Sequence, residues 1–164
     1  NQTGFQTVEL GKDGVELIPA TPWLQPLMPD TGYACGPGMT KQQKADAELG
    51  FQVAKEVSRM DIGQIVVVKN GTILAVEGFE GTDACLKRGG ELAGRKGGAV
   101  AVKVAKKNHD LRFDIPCIGP QTIRACAEVR ISALALEAGK TLLLEQESCE
   151  ELARSNKLTV STIG

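Results

Sequence analysis

The sequence predicts an α/β fold: a mixed β-sheet of about six strands packed with about four helices. Three observations carry that expectation. Apolar runs of strand length, Gln64 to Val68 and Gly98 to Ala105, recur along the chain, and a continuous run of that kind suits a strand covered on both faces. Other segments return an apolar residue every three or four positions, the period of a helix. Asn70-Gly71 tolerates positive φ at both positions and separates two of the strand-like runs, which predicts a tight hairpin.

Residues 1–39 hold five of the seven prolines and little periodicity. They read as an extended lead-in or linker, with a turn at Cys35-Gly36-Pro37-Gly38. A single α/β domain is expected over 40–164. Its first helix runs from Thr40 to Met60, with Thr40 as N-cap and Ala45, Leu49, Val53 and Val57 as its apolar stripe. Gln64 to Val68 and Thr72 to Glu77 form the hairpin. Thr82 or Asp83 caps a second helix that ends near Gly89-Gly90, because glycine commonly follows a helix end. Gly98 to Ala105 is a strand, and its unbroken apolar run makes it central. Pro120 stands where a first helical residue should, and that helix runs to about Arg130. Ser132 to Glu137 and Lys140 to Leu144 are strands around an Ala138-Gly139 turn. Glu145 to Ser155 is the last helix and Leu158 to Ile163 the last strand.

Composition excludes several classes. The 164 residues suffice for one domain with a real core, and 42% apolar content is ordinary. A net charge of −1 gives no reason to expect nucleic acid as a partner. No apolar run approaches the roughly 18 residues of a membrane span, and no signal peptide is visible. The five cysteines form no Cys-x-x-Cys pair, so zinc and redox readings are weak and a reducing cytoplasm fits best. The chain begins at Asn1 without methionine, and a fragment of a longer protein, or a trimmed one, is the expectation.

The densest chemistry lies between Lys103 and Gly119. It packs four cations, the single histidine and two aspartates between an apolar strand and a helix start. In open α/β sheets ligands bind at the carboxyl ends of strands. If the segment is extended, Asp110, Arg112 and Asp114 project to one face, and a divalent metal with a phosphate is the natural occupant. A self-neutralising Arg–Asp pair on the surface is the alternative from spacing alone. His109 beside Asp110 is a weak candidate for proton transfer. A second cluster, Glu77, Glu80, Gly81, Thr82 and Asp83, joins a strand to a helix N-terminus. It suits an anionic ligand approached closely at Gly81, or plain capping. Glu77 and Glu80 are harder to explain by capping, because an acid ending an apolar strand needs something positive to meet it. Gly94-Arg95-Lys96-Gly97-Gly98 lacks the Walker pattern and reads as a loop.

Four blocks then occur in order: Gly63-Gln64 through Lys69-x-Gly71; Ala75-Val76-Glu77-x-x-Glu80-Gly81-Thr82-Asp83; Lys103-x-x-Lys106 with Asp110-x-Arg112-x-Asp114-x-Pro116-x-x-Gly119-Pro120-x-Thr122; and Glu137-Ala138-Gly139-Lys140-Thr141. Together they resemble the C-terminal domain of the LpxI-type UDP-2,3-diacylglucosamine pyrophosphatases, from about Gly36 to the end. The resemblance implies hydrolysis of the UDP-sugar pyrophosphate to UMP and 2,3-diacylglucosamine 1-phosphate, a step of lipid A biosynthesis. It also implies Mg2+ (or Mn2+) as cofactor and a cytoplasmic protein peripheral to the inner membrane. An N-terminal domain would stand across the site, and a homodimer is compatible with the family. One essential aspartate is carried onto Asp110 or Asp114, which the motif does not separate. Both would hold the metal or orient water, with Lys103 and Arg112 neutralising developing phosphate charge. Glu77, Glu80, Gly81, Thr82, Asp83, Lys69, Lys106 and Thr122 match substrate-binding positions. His109 departs from the family, where glutamine is usual. The acyl chains need an apolar groove, for which Trp23-Leu24, Leu27-Met28 and Tyr33 are candidates beside their simpler reading as a strap on the core. The rival reading is a non-catalytic nucleotide-sugar or phosphate-binding module, which needs no aspartate pair. A purely structural interaction domain would leave the clustered acids and bases unexplained.

Overall fold

The computed structural model describes residues 12–16, 18, 20–106 and 115–164. Asp110, Arg112, Asp114 and His109 therefore lie outside the described residues. The lead-in holds a short helix α1 (Thr21–Leu24), a 3-10 turn (Gln25–Leu27) and strand β1 (Ala34–Cys35). There follow α2 (Lys41–Arg59), β2 (Ile65–Lys69), β3 (Thr72–Val76), α3 (Thr82–Leu92), β4 (Val100–Lys103) and β5 (Cys117–Ile118). The chain closes with α4 (Pro120–Glu128), β6 (Ala133–Glu137), β7 (Leu142–Leu143), α5 (Gln146–Ser155) and β8 (Thr159–Ile163).

The main sheet has six strands in the order β1-β8-β6-β4-β2-β3. The inner strands β4, β6 and β8 run parallel, and β2, β3 and β1 add antiparallel flanks, so the sheet is mixed as expected. Alternation sends Ile65, Val67, Ala101, Leu134 and Leu136 to a core under α3, α4 and α5. Val66, Val68, Val100, Val102, Ala133 and Ala135 face α2 on the other side. Each inner strand is thus covered on both faces, which is why its sequence is apolar without interruption. Fully burying one such valine or leucine stabilises by about 1.5–3 kcal/mol.

Thr40 caps α2 through a complete capping box with Gln43, as the sequence predicts. Of the expected stripe, Val57 is buried and Leu49 and Val53 pack against the core, and Ala45 alone falls off it. Ala45 is exposed, while Ala47, Gly50, Ala54 and Val57 meet the sheet. Closeness adds small residues to the face: a Cβ at Gly50 would stand 2.6 Å from Val102 Cγ2. Asp46 is buried on this helix, and its carboxylate accepts the N–H groups of Asn70 and Gly71, both at 2.8 Å. It holds the β2–β3 turn, where Asn70 (φ 50°) and Gly71 (φ 74°) adopt the positive φ values the dipeptide announces.

Three expectations are corrected. Neither Thr82 nor Asp83 caps α3; the cap is Gly81 at φ 84°, which has no side chain to bond the helix end. The helix runs through Gly89-Gly90 to Leu92, because these glycines make room for Val67 and Val129 and do not stop the helix. The expected strand over Lys140 to Leu144 is shorter, Leu142–Leu143, and pairs in parallel with Cys117–Ile118 in a separate two-stranded sheet. Ala34–Cys35, which carries no periodicity signal, joins the edge of the main sheet beside β8.

Candidate functional site at the carboxyl end of the central strand

β4 ends at Lys103, which the register sets beside Ile65 of β2 and Leu136 of β6. Glu77 directly follows β3, and its N–H donates to the Ile65 carbonyl at 2.9 Å. The two charged residues therefore flank Ile65 at one edge of the sheet. Gly63 allows this approach: a Cβ there would lie 2.2 Å from the Glu77 carbonyl oxygen.

Both side chains are nearly covered, Glu77 at 9% and Lys103 at 8% exposure. A buried charge costs several kcal/mol unless hydrogen bonds and opposite charge offset it. Glu77 Oε2 accepts the Gln64 N–H at 2.8 Å, and Oε1 accepts the Thr82 hydroxyl at 3.1 Å. Lys103 Nζ donates to the Cys117 carbonyl at 2.9 Å and to Thr82 Oγ1 at 3.4 Å. The Thr82 hydroxyl thus stands between acid and cation, donating to one and accepting from the other. A compact ammonium in so sheltered a place is suited to meeting a phosphate oxygen.

Next to Cys117 opens a cavity of about 410 Å³ whose wall includes Asp83, Gly119, Thr122 and Arg124. Asp83 and Thr122 are brought together there, across the start of α4. Gln121 Nε2 reaches Asp83 Oδ2 at 3.4 Å. Gly81 is required by its positive φ whether or not a ligand approaches it.

Other expected residues are engaged elsewhere. Glu80 pairs with Arg88 on the surface and accepts the Gly78 N–H at 3.0 Å. The Arg88 guanidinium is the main reason its carboxyl titrates below the usual range. Lys106 Nζ donates to Asp61 Oδ1 at 2.6 Å. Lys69 sits at the opposite end of β2 and donates to the Ala93 carbonyl at 2.6 Å, away from Lys103 and Glu77. Of the apolar candidates in the lead-in, Trp23 is 66% and Leu27 41% exposed, whereas Met28 is buried. Tyr33 donates its hydroxyl to Glu150 at 3.1 Å, and burial is the chief cause that raises its pKa. The strap reaches the same sheet edge, where the Gly139 N–H donates to the Pro29 carbonyl at 2.9 Å.

One polar group at this edge was not singled out by sequence reasoning as a site residue. Glu137 ends β6 at 5% exposure and meets Lys55 and Lys140. It carries the signal that marked Glu77, an acid closing an apolar strand, and it stood inside the fourth sequence block.

A family model described as the LpxI C-terminal domain matches residues 30–161. Over 130 residues the chain is 36% identical to the UDP-2,3-diacylglucosamine pyrophosphatase LpxI of Caulobacter vibrioides, a match that covers 75% of the chain and 45% of that relative. The chain thus spans less than half the length of the curated relative it matches.

Proposed function

The chain belongs to the LpxI C-terminal domain family, and from that premise we propose that its protein hydrolyses UDP-2,3-diacylglucosamine to UMP and 2,3-diacylglucosamine 1-phosphate, in lipid A biosynthesis. The observation that supports this most is the coincidence of the family match with a sheltered cation, Lys103, at the carboxyl end of the central strand. In this reading Lys103 meets the pyrophosphate oxygens. Thr82 and Glu77 hold its ammonium in place. Asp83 and Thr122 line the cavity that receives the rest of the nucleotide sugar.

Asp110 and Asp114 are the proposed ligands of Mg2+ or Mn2+ and follow β4 in the sequence. The donor set suits a hard cation, because Mg2+ keeps several waters and takes only one or two carboxylates. Among the described residues no three Asp, Glu, His or Cys side chains converge, so the metal role rests on that pair. The bound ion would polarise the phosphoryl oxygen and lower the pKa of a coordinated water. Arg112 shares the neutralisation of phosphate charge with Lys103. A substrate carrying acyl chains suits a protein that works at a membrane surface, and in this proposal that surface is the cytoplasmic face of the inner membrane, with the protein peripheral to it. The remainder of the relative's length corresponds, in this proposal, to a second domain that closes over the carboxyl end.

Release of UMP from UDP-2,3-diacylglucosamine by the full-length protein, with Mg2+ and then with EDTA, tests the reading. Metal-dependent hydrolysis is expected. Tight binding of the nucleotide sugar without turnover would favour a non-catalytic binding module.

A further inference from the structure

We infer that Glu137 and Lys55 form a positioning pair that fixes the point where the chain leaves β4. The inference deepens the hydrolase reading and rests on it. The geometry is specific to one peptide unit. Glu137 Oε2 accepts the Ala105 N–H at 2.9 Å. Lys55 Nζ donates to both Glu137 oxygens at 3.0 Å and to the Ala105 carbonyl at 3.3 Å. The Ser58 hydroxyl reaches the same carbonyl at 3.5 Å. Ala105 is thus gripped on its N–H and its C=O by side chains from β6 and α2. One residue past β4, the Val104 N–H still donates across to the Gln64 carbonyl at 3.0 Å.

Position in the chain gives this grip its meaning. Ala105 lies two residues beyond Lys103 and five before Asp110. A β-strand that ends in solvent frays. Here its last sheet bond is followed at once by a clamp, so Lys103 is held from both sides. A backbone amide could be satisfied by any neutral acceptor, and a solvated bend would need none. A carboxylate at 5% exposure, meeting two lysines to hold one N–H, is an expensive way to end a strand. Catalytic groups need placement within about 0.5 Å, and that demand explains a rigid clamp where stability alone does not. Glu137 and Lys55 touch no reacting atom in this reading; they act through Ala105 and the residues on either side of it.

Two variants of the full-length protein separate positioning from plain structure. Glu137→Gln keeps the shape but turns one oxygen into a donor that faces either the Ala105 N–H or a lysine. Its kcat should fall about tenfold or more, with KM within about twofold, measured well below its melting temperature. Lys55→Met with Glu137→Leu replaces the ion pair by apolar side chains, an exchange that often keeps or raises stability. That double variant leaves the Ala105 N–H without its acceptor and should melt somewhat below the wild type; assayed well below its melting temperature it should still turn over at least tenfold more slowly, because only the Ser58 hydroxyl still holds Ala105. Recovery of kcat together with stability would overturn the inference and leave a merely structural ion pair, as would a Glu137→Gln enzyme with wild-type kcat. If the double variant does not fold, the kcat and KM of Glu137→Gln decide alone. A wild-type protein without pyrophosphatase activity would instead sink the hydrolase reading, a different outcome from an active wild type with indifferent variants.

Discussion

The two ends of β4 use similar residues to different purposes. At the amino end Lys69 donates to the Ala93 carbonyl, Arg130 donates to the Arg95 carbonyl at 3.1 Å, and the buried acid Asp46 accepts two turn amides. Each charged group there closes a backbone valence. At the carboxyl end Lys103 and Glu77 also bond backbone groups, at Cys117 and Gln64, but they meet each other through the Thr82 hydroxyl, while Lys55 and Lys140 pair directly with Glu137. Charges are set against charges at the edge where parallel strands present ligands. A buried charge alone therefore does not mark a site. What distinguishes this end is that acid and cation meet, directly at Glu137 and through the Thr82 hydroxyl at Lys103.

The contrast is broken most forcefully at the carboxyl end. Asp114→Asn in the full-length protein keeps the size of the side chain but removes the charge needed for a metal or a base. It should lose about 10²-fold or more in kcat, on the order of 3 kcal/mol. Asp110→Asn should be assayed beside it, and wild-type rates in both would refute the assignment. At the amino end the corresponding insult is to stability. Asp46→Ala leaves the Asn70 and Gly71 amides without their acceptor and should cost about 2–3 kcal/mol in chemical denaturation, with kcat unchanged at temperatures where the protein is folded. Glu77→Gln returns to the carboxyl end and should lower kcat about tenfold, roughly 1.4 kcal/mol, because the Thr82–Lys103 arrangement loses its anion. Equal losses of kcat in Asp46→Ala and Glu77→Gln would erase the distinction between the ends.

The smallest effect is in acid. Burial pushes the Glu137 carboxyl up, but hydrogen bonds from Lys140, Lys55 and the Ala105 N–H outweigh it and leave the pKa below the usual range. A depressed folded pKa contributes stability that is present above the unfolded value of about 4.3 and is lost as pH falls through the folded one. Melting temperature should therefore drop more steeply below about pH 4.3 in the wild type than in Glu137→Gln. Parallel curves would mean that Glu137 titrates alike in both states.

Periodicity made most of the fold legible. The apolar runs of β2, β4 and β6 and the Asn70-Gly71 turn stand where the pattern puts them, because strands covered on both faces have no freedom to be polar. The misses share a cause. The exposure of Ala45 on α2 and the passage of α3 through Gly89-Gly90 follow from tertiary closeness, which local pattern does not carry. At the site, Glu77, Thr82 and Lys103 were named from the sequence and are brought together. Lys69 was named with them and lies at the far end, since block order says nothing of which end of a strand a residue occupies. Glu137 ends its strand as Glu77 does, but its partner Lys55 is remote in sequence and no local pattern joins the two.

The most direct measurement compares Lys103→Met with Lys69→Met in the full-length protein. Both remove one lysine charge from a strand end of the same sheet and keep the apolar stem. Turnover of UDP-2,3-diacylglucosamine should fall about 10²-fold in Lys103→Met, since an ammonium aimed at developing phosphate charge is lost. It should stay within about twofold in Lys69→Met, whose ammonium serves the Ala93 carbonyl. Equal rates in the two variants, or the larger loss in Lys69→Met, would contradict a site at the carboxyl end of β4.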